Sequence, residues 1–282
     1  MASPESIEHG TYGLTRWSVP GPVEPIPVLL YQRLDLVGPK AAVIHYHGVK
    51  ASKDSYVNLS LIKGLADAGF LVALPDAPGH GERPGGPRLL DRVGENLPHE
   101  FCADIEQAAD EAQSLLDWLG ARPEVDPSRV AVIGHSMGGY TAAVVAMRAR
   151  ERLAACVCIA GSADLAHCME TTDGIAPGKG GPLDRSLDVE TQERIARIDP
   201  LWHPERYPPL PLLLLHGKKD TWNPCATSQR FASLLEPHYV VAPERLRLVV
   251  VPDAAHWPLH TQIVEETVEW LRRFVLDNRA PR

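Results

Sequence analysis

The stretch Arg129–Arg150, RVAVIGHSMGGYTAAVVAMRAR, holds two kinds of local structure and a joint between them. Its opening residues, RVAVI, form a short apolar run without alternation, the pattern of a strand buried on both faces. From Tyr140 onward it is rich in alanine and valine and reads as a helix. The joint is Gly134-His135-Ser136-Met137-Gly138, which fits the pattern G-x-S-x-G. A sharp turn from strand to helix holds the central serine in a strained conformation with its hydroxyl clear of the sheet. Glycines flank it because a Cβ at either position meets neighbouring backbone. Ala142, Ala143 and Ala146 let the helix approach closely. Ser136 is therefore the candidate nucleophile.

Working outward, the same kind of apolar run recurs at 41–47, 70–76, 154–160, 210–216 and 246–253. Amphipathic segments lie between them. Val57, Leu61, Leu65 and Ala68 form one stripe. Ile105, Ala109, Ala112, Leu116 and Leu119 form another, and Val264, Val268, Leu271 and Val275 a third, all at helical spacing. Buried strands alternating with helices predict an α/β fold with a mostly parallel sheet covered on both faces. Two earlier candidates, Tyr12–Val19 and Ile26–Leu34, are split by a Pro-Gly turn and predict an antiparallel hairpin. No internal repeat is visible, and 282 residues fit one domain over 1–282.

Composition narrows the function. Hydrophobic residues at 44% and charged residues at 23% are ordinary for a globular chain. A formal net charge of −8 gives no basic footprint for nucleic acid and no polybasic membrane anchor. The start MASPESIEHG lacks a signal-peptide pattern and no apolar run is long enough to span a bilayer, so a cytoplasmic location is expected. Five cysteines are scattered without a CxxC pair, which disfavours a disulfide scaffold. Cys156 and Cys158 are expected on one face of a strand as small packers.

A serine hydroxyl attacks only when a base takes its proton, and the base needs an orienting group. Of twelve histidines, His256 follows the last strand run and precedes the last helix, which makes it the candidate base. His260 is the rival. His45 and His216 sit in or at the ends of strand runs and read as packed or supporting residues. For the acid, Asp220 lies just past a strand run, between serine and histidine in the chain; Asp164 and Asp253 are the rivals. Asp253 is too near His256 in sequence to meet it without contorting the loop. Two N–H groups must hold the oxyanion: the amide of Met137, after the serine, and that of Val49 in the loop Tyr46-His47-Gly48-Val49. His47, Gly48, His135 and Trp222 are the expected substrate-contacting residues. Asp76 and His80 are expected to brace the site through local hydrogen bonds.

His45-x-His47 lacks further ligands at metal spacing, and neither a Walker motif nor GxGxxG occurs, so no metal or other cofactor is expected. The segment Ser162–Leu210 is longer than a crossover needs. It holds a helix candidate at Val189–Ile198 with Asp188 as N-cap. With Leu165, Met169, Ile175, Leu201 and Trp202 it is expected to form a small cap over Ser136, its glycine-rich piece Gly174–Gly181 being the moving part.

These residues resemble the α/β-hydrolase superfamily, closest to its small bacterial esterases related to the dienelactone-hydrolase and prolyl-oligopeptidase-like groups. The motifs that carry the resemblance are YHGVKASKD (46–54), PDAPGHGER (75–83), GHSMGG (134–139), HGKKDTWNP (216–224) and DAAHW (253–257). It implies a central sheet of about eight strands, a Ser-His-Asp triad in the order Ser136, Asp220, His256, and no cofactor. Relatives often carry D-x-x-V-P after the acid, where this chain has Asn223-Pro224, so the pocket wall there departs from the pattern. The implied activity is hydrolysis of small or short-acyl carboxylic esters by a monomer or small homo-oligomer. A peptidase or thioesterase would use the same residues. With 47 residues before Gly48, no propeller is expected to gate peptides. A silent binding protein would have lost a triad member.

Overall fold

The computed structural model describes residues 6–57, 59–86, 96–171, 186–257 and 259–277. Its centre is one sheet of nine strands in the order β1-β2-β3-β5-β4-β6-β7-β8-β9. The strands are β1 Ser6–His9, β2 Tyr12–Val19, β3 Ile26–Arg33, β4 Lys40–Tyr46, β5 Leu71–Pro75, β6 Val125–His135, β7 Ala155–Ile159, β8 Leu212–Gly217 and β9 Leu246–Val251. From β5 to β9 across the sheet all pairings are parallel, while β1, β2 and β3 add antiparallel at one edge. The hairpin of β2 and β3 is the one expected. The strand beyond the expected eight is short β1, turned back onto β2 through Gly10 at φ 62°.

Side-chain alternation divides the interior into two layers. On β6, Val130 and Val132 face one layer and Ala131 and Ile133 the other, which is why the run reads as continuously apolar. The first layer is covered by helices α3 (Leu97–Gly120) and α4 (Met137–Ala149), the second by α2 (Ser60–Asp67) and α8 (Thr261–Leu271). Only Arg148 of α4 escapes burial. A helix this enclosed must be small and apolar around its whole circumference, as its alanines and valines make it. Cys156 and Cys158 lie on one face of β7 with Sγ atoms 3.7 Å apart, and all five cysteines are free.

The short helix α1 (Lys53–Tyr56) follows β4. In the segment after β7, α5 (Leu165–Thr171) and α6 (Val189–Ile198) pack beside α3. Asp188 caps α6 by accepting from the Thr191 amide at 2.7 Å, and α7 (Cys225–Leu235) follows β8. Leu165, Met169 and Leu201 are buried in the first core layer, whereas Trp202 is exposed. Leu165, Met169 and Leu201 thus have a packing role, and Ile175 and Gly174–Gly181 lie outside the described residues. No helix of the described residues is long and apolar enough to cross a membrane.

The chain runs from β4 to β5 on one side, then returns across β4 to β6 on the other. Ligands of open parallel sheets bind beyond the carboxyl ends of the strands at such a reversal. Because β4, β6, β8 and β9 are parallel, the loops after all four emerge at that one end.

Candidate active site

Ser136 stands between β6 and α4 with φ 59° and ψ −122°. A non-glycine residue reaches this region only under constraint. The constraint is close backbone packing on either side. A Cβ on Gly134 would lie 1.9 Å from the Gly138 carbonyl oxygen, and one on Gly138 would lie 2.1 Å from that of Tyr46. The second contact also seats the start of α4 directly on the end of β4. The chain leaving β4 passes the serine closely: a Cβ on Gly48 would be 3.4 Å from Cβ of Ser136.

The loop after β9 brings His256 to the same place, and the loop after β8 brings Asp220. His256 Nδ1 donates to Asp220 Oδ2 at 2.8 Å. The other carboxylate oxygen, Oδ1, accepts from the amides of Trp222 at 2.8 Å and Asn223 at 2.9 Å. His216 Nε2, at the end of β8, lies 3.3 Å from Oδ2 and 3.0 Å from the Asn223 carbonyl. Burial alone would raise the Asp220 pKa. Hydrogen bonds from His216 and His256 outweigh it and hold the carboxyl well below its usual range. Ionised Asp220 keeps the proton of His256 on Nδ1 and leaves the Nε2 lone pair available.

The rivals are occupied elsewhere. His260 is the N-cap of α8, its Nδ1 accepting from the Gln262 amide at 3.2 Å. Asp253 pairs with Lys219 at 2.7 Å and Asp164 with Arg230 at 3.0 Å.

Val49 and Met137, the expected oxyanion donors, come from the two backbone segments that Gly138 holds in contact. Among the described residues neither amide N–H has a hydrogen-bond partner. Met137 is the first residue of α4, where helix geometry leaves the N–H unpaired and the helix dipole favours negative charge. The peptide linking Gly48 to Val49 is fixed by its carbonyl. Gly48 O accepts from the Ala51 amide at 3.0 Å and from His47 Nδ1 at 2.9 Å. His47 Nε2 accepts from the Ala77 amide at 3.0 Å, which forces the neutral tautomer with its proton on Nδ1. Burial is the main force holding His47 far below its ordinary pKa, so that tautomer persists. The next carbonyl, Val49 O, lies 2.8 Å from His80 Nε2. Asp76 accepts from Lys53 N at 2.9 Å, Lys53 Nζ at 2.8 Å and Glu82 N at 3.0 Å, tying α1 to the loop after β5. Asp76 and His80 thus brace the loops around the site.

A cavity of about 300 Å³ opens over Ser136 and His256, with Gly48, Val49, Trp222 and His135 in its lining. His47 is not among them. It was expected against substrate, but its ring is buried and both nitrogens bind backbone, so it shapes the Val49 loop instead. His135 lines the cavity with its ring only. Its Nδ1 accepts from the Tyr56 hydroxyl at 2.7 Å and its Nε2 donates to the His256 carbonyl at 3.1 Å. Burial, then repulsion from His256, lowers its pKa to about 3, so the ring is neutral. Tyr56 and Trp257 also line the cavity and were not read from the sequence. Trp257 carried a signal, adjacency to His256. Tyr56 carried none, standing in a polar stretch before a helix. His45 is buried beside the Tyr56 ring, and no cluster of three metal-binding side chains occurs among the described residues.

The prolyl oligopeptidase family model matches residues 56–278. The chain belongs to the prolyl oligopeptidase family. It is a hydrolase of that family, and the resemblance read from its motifs stands. YitV of Bacillus subtilis (strain 168), named provisionally as an esterase, is 27% identical over 235 residues, 83% of this chain and 89% of that protein. Esterase YjfP of Escherichia coli (strain K12) is 29% identical over 203 residues, 70% of this chain and 75% of its own length. The crystal structure of TT1662 from Thermus thermophilus superposes with a TM-score of 0.66 at 22% identity, covering 99% of this chain and all of that one. That likeness establishes the α/β-hydrolase fold.

Proposed function

We propose that this hydrolase cleaves small carboxylic esters through an acyl-enzyme on Ser136. The observation that carries the reading is the buried His256–Asp220 pair, 2.8 Å apart, whose imidazole lines the same cavity as the strained serine. His256 Nε2 takes the Ser136 proton as Oγ adds to the ester carbonyl, and the amides of Val49 and Met137 receive the oxyanion. The imidazolium then gives its proton to the departing alkoxide. Water, deprotonated by His256, releases the carboxylic acid and restores the serine. The esterase names of YitV and YjfP support ester over amide substrates.

The test is a rate series on p-nitrophenyl esters of increasing acyl length, beside a thioester and a dipeptide amide. Peptide mapping after fluorophosphonate treatment accompanies it. Ester turnover with label on Ser136 supports the reading. Amide turnover with no ester turnover would make the protein a peptidase, the activity for which its family is described.

A further inference from the structure

The cavity over Ser136 has aromatic walls, and the polar atoms of two of them, Tyr56 and His135, are already engaged. Tyr56 presents its ring there, because its hydroxyl donates to His135 Nδ1 at 2.7 Å and accepts from the Gly48 amide at 3.4 Å. His135 also offers only its ring, since its second nitrogen holds the His256 carbonyl. Trp257 sits edge-on to Tyr56, centroids 6.0 Å apart at 61°, and 5.6 Å from the His135 ring. Two rings thereby fix the indole, yet 47% of Trp257 remains exposed. Trp222 lies stacked on His256 at 4.9 Å and 14°, with Lys50 Nζ 5.0 Å from its centroid. A large indole left half in water beside a nucleophile is surface awaiting a flat apolar group. An aliphatic chain would gain the same area burial without edge-to-face pairing. The size agrees: about 150 Å³ of dry cavity accommodates benzene, and this one offers about 300 Å³, room for one ring and the ester link.

We infer that the preferred substrates are esters carrying a single aromatic ring, seated against Trp257 and Tyr56. The inference rests on the esterase reading above and names its substrate class. Two matched pairs test it: methyl phenylacetate against methyl cyclohexylacetate, and benzyl acetate against cyclohexylmethyl acetate. Within each pair the methylene keeps carbonyl and leaving-group reactivity similar, so the kcat/KM ratio reports the ring. The first pair puts the ring on the acyl side, the second on the alcohol side. The expected result is a ratio of about three to ten in favour of the aromatic member of one pair, the worth of aromatic pairing beyond burial. In Trp257→Leu that ratio should fall to about one. Because the ratio is internal to each enzyme sample, a partly folded variant does not distort it. Ratios near one in both pairs, with both members turned over, overturn the inference and leave the esterase reading intact. A wild-type preference that survives in Trp257→Leu overturns the seat assigned to the ring. No turnover of these esters or of p-nitrophenyl acetate overturns the esterase reading and this inference with it.

Discussion

Oδ2 of Asp220 is shared by two imidazoles, with His256 Nδ1 at 2.8 Å and His216 Nε2 at 3.3 Å, while Oδ1 takes two backbone amides. A carboxylate so surrounded has one orientation, and the histidine it faces has one tautomer. Asp220→Asn presents an amide where the carboxylate was, and its NH₂ favours the wrong tautomer of His256. The expected loss in kcat is on the order of 10⁴-fold. Asp164→Asn, at a site paired with Arg230, should stay within about threefold of the parent, well inside the loss that removal of a single catalytic contact brings. Steady-state kinetics on both variants checks the assignment, and the opposite ranking would transfer the acid role to Asp164.

The Val49 amide is aimed by its neighbour's carbonyl, which His47 and Ala51 hold. His47→Ala should lower kcat about 10- to 100-fold, less than the 10²–10³ lost when an oxyanion donor is removed outright, because the Ala51 amide still holds the Gly48 carbonyl. KM should change little, since His47 does not line the cavity. His47→Asn, whose amide reaches the place of Nδ1, should recover part of kcat. A rise in KM at constant kcat would return His47 to the substrate-contacting role expected from sequence.

Ser136 stores strain at φ 59° and ψ −122°. Ser136→Ala removes the nucleophile and keeps the strain, whereas Ser136→Gly removes both. The glycine variant should be more stable than the alanine variant by about 1 kcal/mol, or roughly 2–4 °C in Tm for a chain this long. Both should be inactive. Calorimetry on the pair measures the difference, and equal Tm values would mean that the elbow costs nothing.

The sheet was legible because β4, β5, β7, β8 and the part of β6 from Val130 onward are buried on both faces, and that burial writes itself as unbroken apolar runs. Ser136 was legible because its turn demands Gly134 and Gly138 at fixed spacing. Asp220 and His256 followed from chain order and strand ends. Strand β1 was not legible: four edge residues, SIEH, have no buried run to announce them. The role of His47 was hidden as well, since a histidine beside the site reads the same whether its nitrogens bind substrate or the Gly48 and Ala77 backbone. Leu165, Met169 and Leu201 were ambiguous for a related reason. An apolar residue in a long insertion suits a cap as well as a core, and three-dimensional packing alone separates the two.

His45, His47 and His135 are all fully enclosed, and in each case burial is the first cause of a lowered pKa: to about 4 for His45, to about 3 for His135, and far below the ordinary value for His47. Unfolded, all three titrate near 6.5. The folded state therefore resists protons that the unfolded state accepts. The stability this provides is complete above about pH 6.5 and is lost as pH falls from there toward the folded values. Asp220, whose folded pKa is depressed, adds a loss in the same direction below about pH 4. Thermal melts should show a Tm that is flat from pH 8 to 7 and falls steadily from pH 6.5 to 4.5. His135→Gln, which cannot take up a proton in either state, should make that fall shallower by up to about 1 kcal/mol per pH unit. A Tm independent of pH between 7 and 5 would mean that these imidazoles take up protons in the fold as readily as in the unfolded chain, so that the neutral tautomers that orient Val49 and hold His256 in place would be lost below about pH 6.5.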